Sequence, residues 1–335
     1  MPSSESPWPA FLRELDFGIQ AGNSYGPRAL AIHSGLGRLY VRTHRRSADG
    51  ITAGLVTVFD LDSGRVLATV ETGPDDYSEG ALVLDPSLNR IYAVNPGDST
   101  TSVLDAETFE PVTTLDGVDQ IALDPETRRL YATGLGGLRA LDAASYAPLQ
   151  EGSLPSDGET LALAVDPQAG RVYLAHRDAA GYALSLYDAA TLEMLTSAPL
   201  PGWPDALLAD PAGGRVYVTC SDGERNYLWA LDSEGRLVDS RPLGNRTQKT
   251  YLALDSAGER LFLGREVYED PGVTILDLRR GREVADIPLD RAPNALAWDG
   301  PAGRLLVSYS YAEQIGVVDV ESGRQSATLP TALDL

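Results

Sequence analysis

The chain is poor in the groups that usually announce a chemistry. It has one cysteine, three histidines and two methionines in 335 residues. With Cys220 alone there is no internal disulfide, and no metal knuckle or redox pair can be assembled from it. No apolar run approaches the ~20 residues that a membrane-crossing helix needs. Lys249 is the single lysine, and the acidic side chains outnumber the basic ones 48 to 27, giving a formal net charge of −21. That sign repels a phosphate backbone, which excludes the usual electrostatic footprint of nucleic-acid binding and disfavours anionic membranes. The acidity itself is a sufficient device for solubility. A helical period of any length is also missing. The opening residues, MPSSESPWPAFLRELDF, lack the basic and apolar regions of a signal peptide.

What the chain has is repetition. A phrase of apolar run, Asp-Pro, short turn, Arg, aliphatic residue, Tyr and a second apolar run stands as ALVLDPSLNRIYAV around Arg90 and IALDPETRRLYAT around Arg129. It returns as LAVDPQAGRVYLA around Arg171 and LLADPAGGRVYVT around Arg215, with weaker copies around Arg38, Arg260 and Arg304. The seven arginines lie on average about 44 residues apart, the period of a four-stranded propeller blade. A second anchor, an Asp closing an apolar run before a turn, recurs at Asp60, Asp105, Asp142, Asp188, Asp232, Asp277 and Asp319. Each unit therefore predicts strand, turn, strand, loop, strand, turn, strand.

These repeats resemble the YVTN-type β-propeller repeats, with YAVNPGDSTTSVLD (residues 92–105) the nearest copy, from about residue 26 to the end. The resemblance implies an all-β, seven-bladed propeller of four antiparallel strands per blade, with residues 1–25 as an N-terminal lead and 26–335 as one domain. Many such proteins are exported, so the expectation is cytoplasmic for the chain as it stands and exported if a signal was removed ahead of it. The segment FLRELDFGIQAG (residues 11–22) and the terminal GRQSATLPT both look like outer strands, which makes eight such segments for seven blades. One of them is expected to complete the last blade and remove an open edge.

The recurring residues have structural reasons. The first Asp of each unit accepts backbone N–H groups in its turn and the following Pro fixes that turn. Small residues before the arginines, such as Gly37, Gly170, Gly214 and Gly303, suit a left-handed position. The tyrosines fill the wedge between blades, and the inner strands, such as residues 81–84, are expected to be packed on both faces. Function is then sought where the repeats disagree, at the mouth of the channel where loops converge. One ring of positions precedes the inner strands: Arg28, Gly80, Asp119, Leu161, Asp205, Thr250 and Asn294. A second follows the second strands: Thr43, Asn95, Gly134, His176, Cys220, Arg265 and Tyr309. From these rings Arg28, Asn95, Asp119, His176, Asp205, Arg265, Asn294 and Tyr309 are the candidate ligand-binding residues.

Three further features adjoin that mouth. The loop RTHRRSADGITAG carries Arg42, His44, Arg45 and Arg46, a basic spot suited to a carboxylate or phosphate, or simply a solvated insertion. GPDDYSEG and REVYEDPG are oxygen-rich, through Asp75, Asp76, Glu79, Glu266, Glu269 and Asp270. A hard cation such as calcium would suit them, but no contiguous calcium-loop spacing is present and exposed acidic loops are the simpler reading; no cofactor is firmly implied. Tyr25, Trp203, Tyr251, Tyr268, Tyr309 and Tyr311 offer stacking surfaces for a sugar or peptide. GNSYG matches G-x-S-x-G at Ser24, but without the strand-to-helix elbow that the motif requires. Two function classes follow. The first is a monomeric, noncatalytic binding protein that uses the channel mouth or the acidic sides of the disc to hold a protein, peptide or small molecule. The second is a metal-dependent enzyme similar to propeller lactonases or lyases, for which Asp119, His176, Asp205 and Asn294 would converge.

Overall fold

The computed structural model describes residues 29–46, 52–61, 63–75, 80–135, 137–155, 159–245, 249–267, 270–309 and 312–329. They form seven four-stranded antiparallel sheets, each built from four consecutive strands. Blade 1 runs from Ala29 to Pro74, blade 2 from Leu82 to Asp116, blade 3 from Gln120 to Gly152 and blade 4 from Glu159 to Pro199. Blade 5 covers Trp203–Asn245, blade 6 Thr250–Pro288 and blade 7 Pro293–Leu329. Each inner strand lies against the inner strands of both neighbours, and that of blade 7 against that of blade 1, so the ring closes without exchanging a strand. The chain is an all-β, seven-bladed propeller. The outer strand of blade 7 is the C-terminal segment Arg324–Leu329. The competing segment, residues 11–22, lies outside the described residues.

The repeated residues hold the blades in specific ways. Asp85, Asp124, Asp166, Asp210 and Asp255 each accept a backbone N–H from their own turn at 2.9–3.2 Å. His33, which stands in the same place in blade 1, accepts the Leu36 N–H through Nδ1 at 3.3 Å. The residue before each repeat arginine is left-handed in all seven blades: Gly37, Asn89, Arg128, Gly170, Gly214, Glu259 and Gly303, with φ between 51° and 64°. The tyrosines do more than fill space. Tyr40, Tyr92 and Tyr131 donate through their hydroxyls to the carbonyls of Ala106, Ala143 and Ala189, each the residue after the second Asp anchor of the next blade. Arg38 and Arg129 donate to the same Ala106 and Ala189 carbonyls, at 2.8 and 3.0 Å.

Two expectations need correction. The inner-strand residues Ala81–Leu84 are half-buried rather than packed on both faces. An inner strand has one edge on the channel, so the dry centre of a blade shifts to the second and third strands. In Arg90–Asn95, for example, every residue after the arginine is buried. The RTHRRSADGITAG segment, read as a loop, is mostly strand: Arg38–Arg46 and Thr52–Asp60 pair through to Arg46 and Thr52, so the second hairpin of blade 1 is lengthened.

Candidate functional site

The inner strands of blades 4, 5 and 7 each carry a one-residue bulge at their channel-mouth end. Pairing with the second strand skips between Thr160 and Ala162, between Pro204 and Ala206, and between Pro293 and Ala295. The extra residues are Leu161, Asp205 and Asn294, three members of the first ring. A bulge breaks strict alternation and re-aims a side chain. Blade 6 has no bulge here: Thr250 pairs with Arg265 and Tyr251 with Gly264.

The consequence is a polar cluster at the seam of blades 6 and 7. The Tyr251 hydroxyl lies 3.2 Å from Asn294 Oδ1 and 3.3 Å from Glu266 Oε2. Glu266, directly after the second strand of blade 6, is tied to the preceding connection by its N–H donating to the Lys249 carbonyl at 3.1 Å. All three side chains are half-buried. Tyr309 stands at the same seam, fully buried in the core of blades 6 and 7, with its ring over Gly316. Burial raises its phenol well above the ordinary value.

The remaining candidates are dispersed. Asn95 is buried and donates through Nδ2 to Thr100 and Ser102 Oγ, each at 3.0 Å, while Ser102 reaches the Thr72 carbonyl of blade 1. His176 is buried with Nε2 2.9 Å from Ser185 Oγ, which in turn meets Ser197 Oγ at 2.9 Å. Burial pushes its imidazole below the ordinary value, with Asp178 opposing. Arg265 is bonded to Thr274 and Asp286. The chains of His176 and Arg265 cross the strands of one blade as polar rungs, while that of Asn95 runs from blade 2 on to blade 1. Asp119 is half-buried, and its N–H donates to the Thr133 carbonyl at 2.7 Å. Asp205 sits near Cys220, whose thiol is pushed up to about 12 by burial, with Asp205 and Asp222 adding to it. Such a thiol is inert at neutral pH. Arg28 lies outside the described residues, as do Tyr25, Asp76, Glu79, Tyr268, Glu269 and Tyr311. Asp119, His176 and Asp205 come from three blades, and among the described residues no three of His, Cys, Asp and Glu gather as a metal site.

Two arginines of the basic spot are ion-paired by neighbours. Arg42 and Asp75 form a fully buried ion pair at 3.0 Å between blades 1 and 2, and Arg45 pairs with Glu71 at 2.7 Å in solvent. Gly80 is required here, since a Cβ would lie 2.4 Å from Arg42 Cζ and 2.5 Å from the Val94 carbonyl. At the seam of blades 4 and 5, Trp203 meets Tyr182 edge-on at 5.6 Å, and the Arg177 guanidinium sits 5.9 Å from the Tyr182 ring.

Counting back from the repeat anchors separated Tyr251, Glu266 and Asn294. Tyr251 and Glu266 fall one residue beyond the ring positions Thr250 and Arg265. The available signal was their adjacency to both rings in a blade whose inner strand pairs without a bulge.

No family model matches the chain, and no curated protein matches it in sequence. Among solved structures it is similar to the hydrazine synthase of Kuenenia stuttgartiensis, with a TM-score of 0.70 over 94% of this chain and 98% of that chain. The two are 15% identical. At that identity the likeness shows the propeller fold and nothing about activity.

Proposed function

We propose that this chain is a YVTN-like propeller that acts as a noncatalytic binding protein, holding a peptide or other small polar ligand at the channel mouth. The observation that carries the reading is the joining of Tyr251, Glu266 and Asn294 from two blades through one tyrosine hydroxyl. The cluster offers donors, acceptors and an aromatic ring within one half-buried patch. That combination suits ligands with amide or hydroxyl groups flanking an apolar face. Asn294 is the residue re-aimed by a bulge, so the blade departs from regular pairing at the place where it contributes to the patch. The Tyr182–Trp203 pair is a second aromatic contact, at the seam of blades 4 and 5.

The test is titration calorimetry with two defined panels, capped tripeptides and disaccharides, against the wild type, Tyr251→Phe and Asn294→Ala. A binder from either panel that weakens at least tenfold in both variants, with unchanged circular dichroism, supports the reading. Panels that fail to bind, or binding unaffected by both substitutions, would remove the cluster as the site.

A further inference from the structure

Away from the mouth, on the side of the disc, the seam of blades 3 and 4 differs from its counterparts. In each blade the residue four before the second Asp anchor pairs with one outer-strand residue: Val56 with Val70, Thr101 with Leu115, Leu138 with Gly152, Leu184 with Ala198, Leu228 with Arg241, Val273 with Ile287 and Ile315 with Leu329. Four of these outer-strand residues, Val70, Leu115, Arg241 and Ile287, bridge to the following blade. Val70 packs in the core cluster that includes Phe109 of blade 2, Ile287 is buried against blade 7, and Arg241 donates to the Gly281 carbonyl of blade 6. Blade 3 has a glycine there, on which the Leu192 turn of blade 4 packs so closely that a Cβ would lie 2.7 Å from the Leu192 carbonyl and 2.8 Å from its Cβ. Beside Gly152 opens a cleft of about 670 Å³ between the end of its outer strand and the turn that begins the outer strand of blade 4.

The cleft has a defined chemistry. Leu154 and the buried Leu192 form an apolar floor, Met194 is about half exposed at its edge, and the exposed carboxylates of Glu151 and Glu193 flank it. The outer strand of blade 3, Pro148–Gly152, is paired on one side only and is exposed along nearly its whole length. An unpaired edge is a template for a further strand, and alternate side chains of an added strand face the sheet. We propose that this seam is a docking groove for an extended segment of a partner protein that alternates apolar and basic residues. The apolar side chains would enter the cleft while the basic ones meet Glu151 and Glu193. A second copy of the chain is a poor occupant, because two bodies of net charge −21 repel.

The probe is a fluorescein-labelled heptapeptide of alternating leucine and lysine, followed by fluorescence polarisation, with a glutamate-for-lysine peptide as its counterpart. Saturable binding of the lysine peptide to the wild type is expected. Glu151→Arg with Glu193→Arg should weaken it at least tenfold. Glu107→Arg with Glu110→Arg, the same charge change on the rim of blade 2, should alter it less than twofold. Equal losses in the two double variants would reduce the effect to diffuse attraction and overturn the proposal, as would no saturable binding. A dimer in sedimentation that the Glu151/Glu193 variant dissolves would assign the groove to a second copy instead. Tyr251→Phe should leave peptide binding here unchanged, which separates this groove from the mouth site.

Discussion

The Ala189 carbonyl at the seam of blades 3 and 4 accepts two side-chain donors from blade 3. Tyr131, fully buried, donates at 2.9 Å and Arg129 at 3.0 Å. Tyr131→Phe removes one hydroxyl and keeps the ring in the wedge. Arg129→Met removes the guanidinium and keeps most of the stem. Either single change leaves the carbonyl one donor, so each should cost about 0.5–1.5 kcal/mol, the net value of one hydrogen bond. The double change takes both donors from a carbonyl on a residue that is only 7% exposed. Leaving a buried acceptor unsatisfied costs a further ~1–3 kcal/mol, so the double variant should be less stable than the sum of the singles by at least 1 kcal/mol. The measurement is guanidinium unfolding of the four proteins, followed by tryptophan fluorescence and far-ultraviolet circular dichroism. A coupling within about 0.5 kcal/mol of zero, as found for independent sites, would refute the shared carbonyl as the bolt between blades.

Two other perturbations follow from local geometry. Arg128 is exposed and left-handed at φ 55°; relieving that conformation is worth about 1–2 kcal/mol, less about 0.4–1 kcal/mol for the freer unfolded chain. Arg128→Gly should therefore raise stability by roughly 0.5–1 kcal/mol while Arg128→Ala leaves it unchanged, and a glycine variant no more stable than the alanine one would show that the conformation is unstrained. His176 is held below its ordinary pKa by burial. The unfolded chain thus takes up a proton as pH falls through about 6.5 before the folded one does. Stability should decline from pH 7 through that value toward the folded pKa, and unfolding of His176→Gln measured between pH 7.5 and 5.5 should lack this part of the decline.

The blade architecture was legible because each anchor does the same job seven times. An Asp that caps a turn, a left-handed residue before an arginine and a tyrosine in the wedge are requirements of every blade, so they survive as a period. The second turn of each blade has the same backbone requirement but a disguised one. Gly64, Gly235, Gly281 and Gly323 are left-handed there, and so are Phe109, Tyr146 and Leu192. The three large residues pack into the cores of the seams, where burial offsets a conformation that L-residues adopt at a cost of ~1–2 kcal/mol. A glycine and a half-buried aromatic do not look alike in sequence, although one torsion angle unites them. Gly152 was equally hidden, since its meaning depends on what Val70, Leu115 and Ile287 do at other seams.

The site was less legible, for a reason of register. Counting from the anchors assumes that every blade has the same number of residues between anchor and mouth, and an alternating strand punishes an error of one residue by reversing the face. The bulges at Leu161, Asp205 and Asn294 introduce that one residue in three blades and not in blade 6. Variation at the second ring has a separate cause. Asn95 with Ser102, His176 with Ser185, and Arg265 with Thr274 are alternative ways to satisfy buried polar atoms across one blade. A blade can exchange one such rung for another without changing what faces the channel, so disagreement between repeats there tracks the pairing of neighbours. Disagreement at a bulge is different, because the inserted residue has no cross-strand partner to co-vary with. Asn294, which meets Tyr251 of another blade, is the case in which that freedom is used to build contact between blades at the mouth.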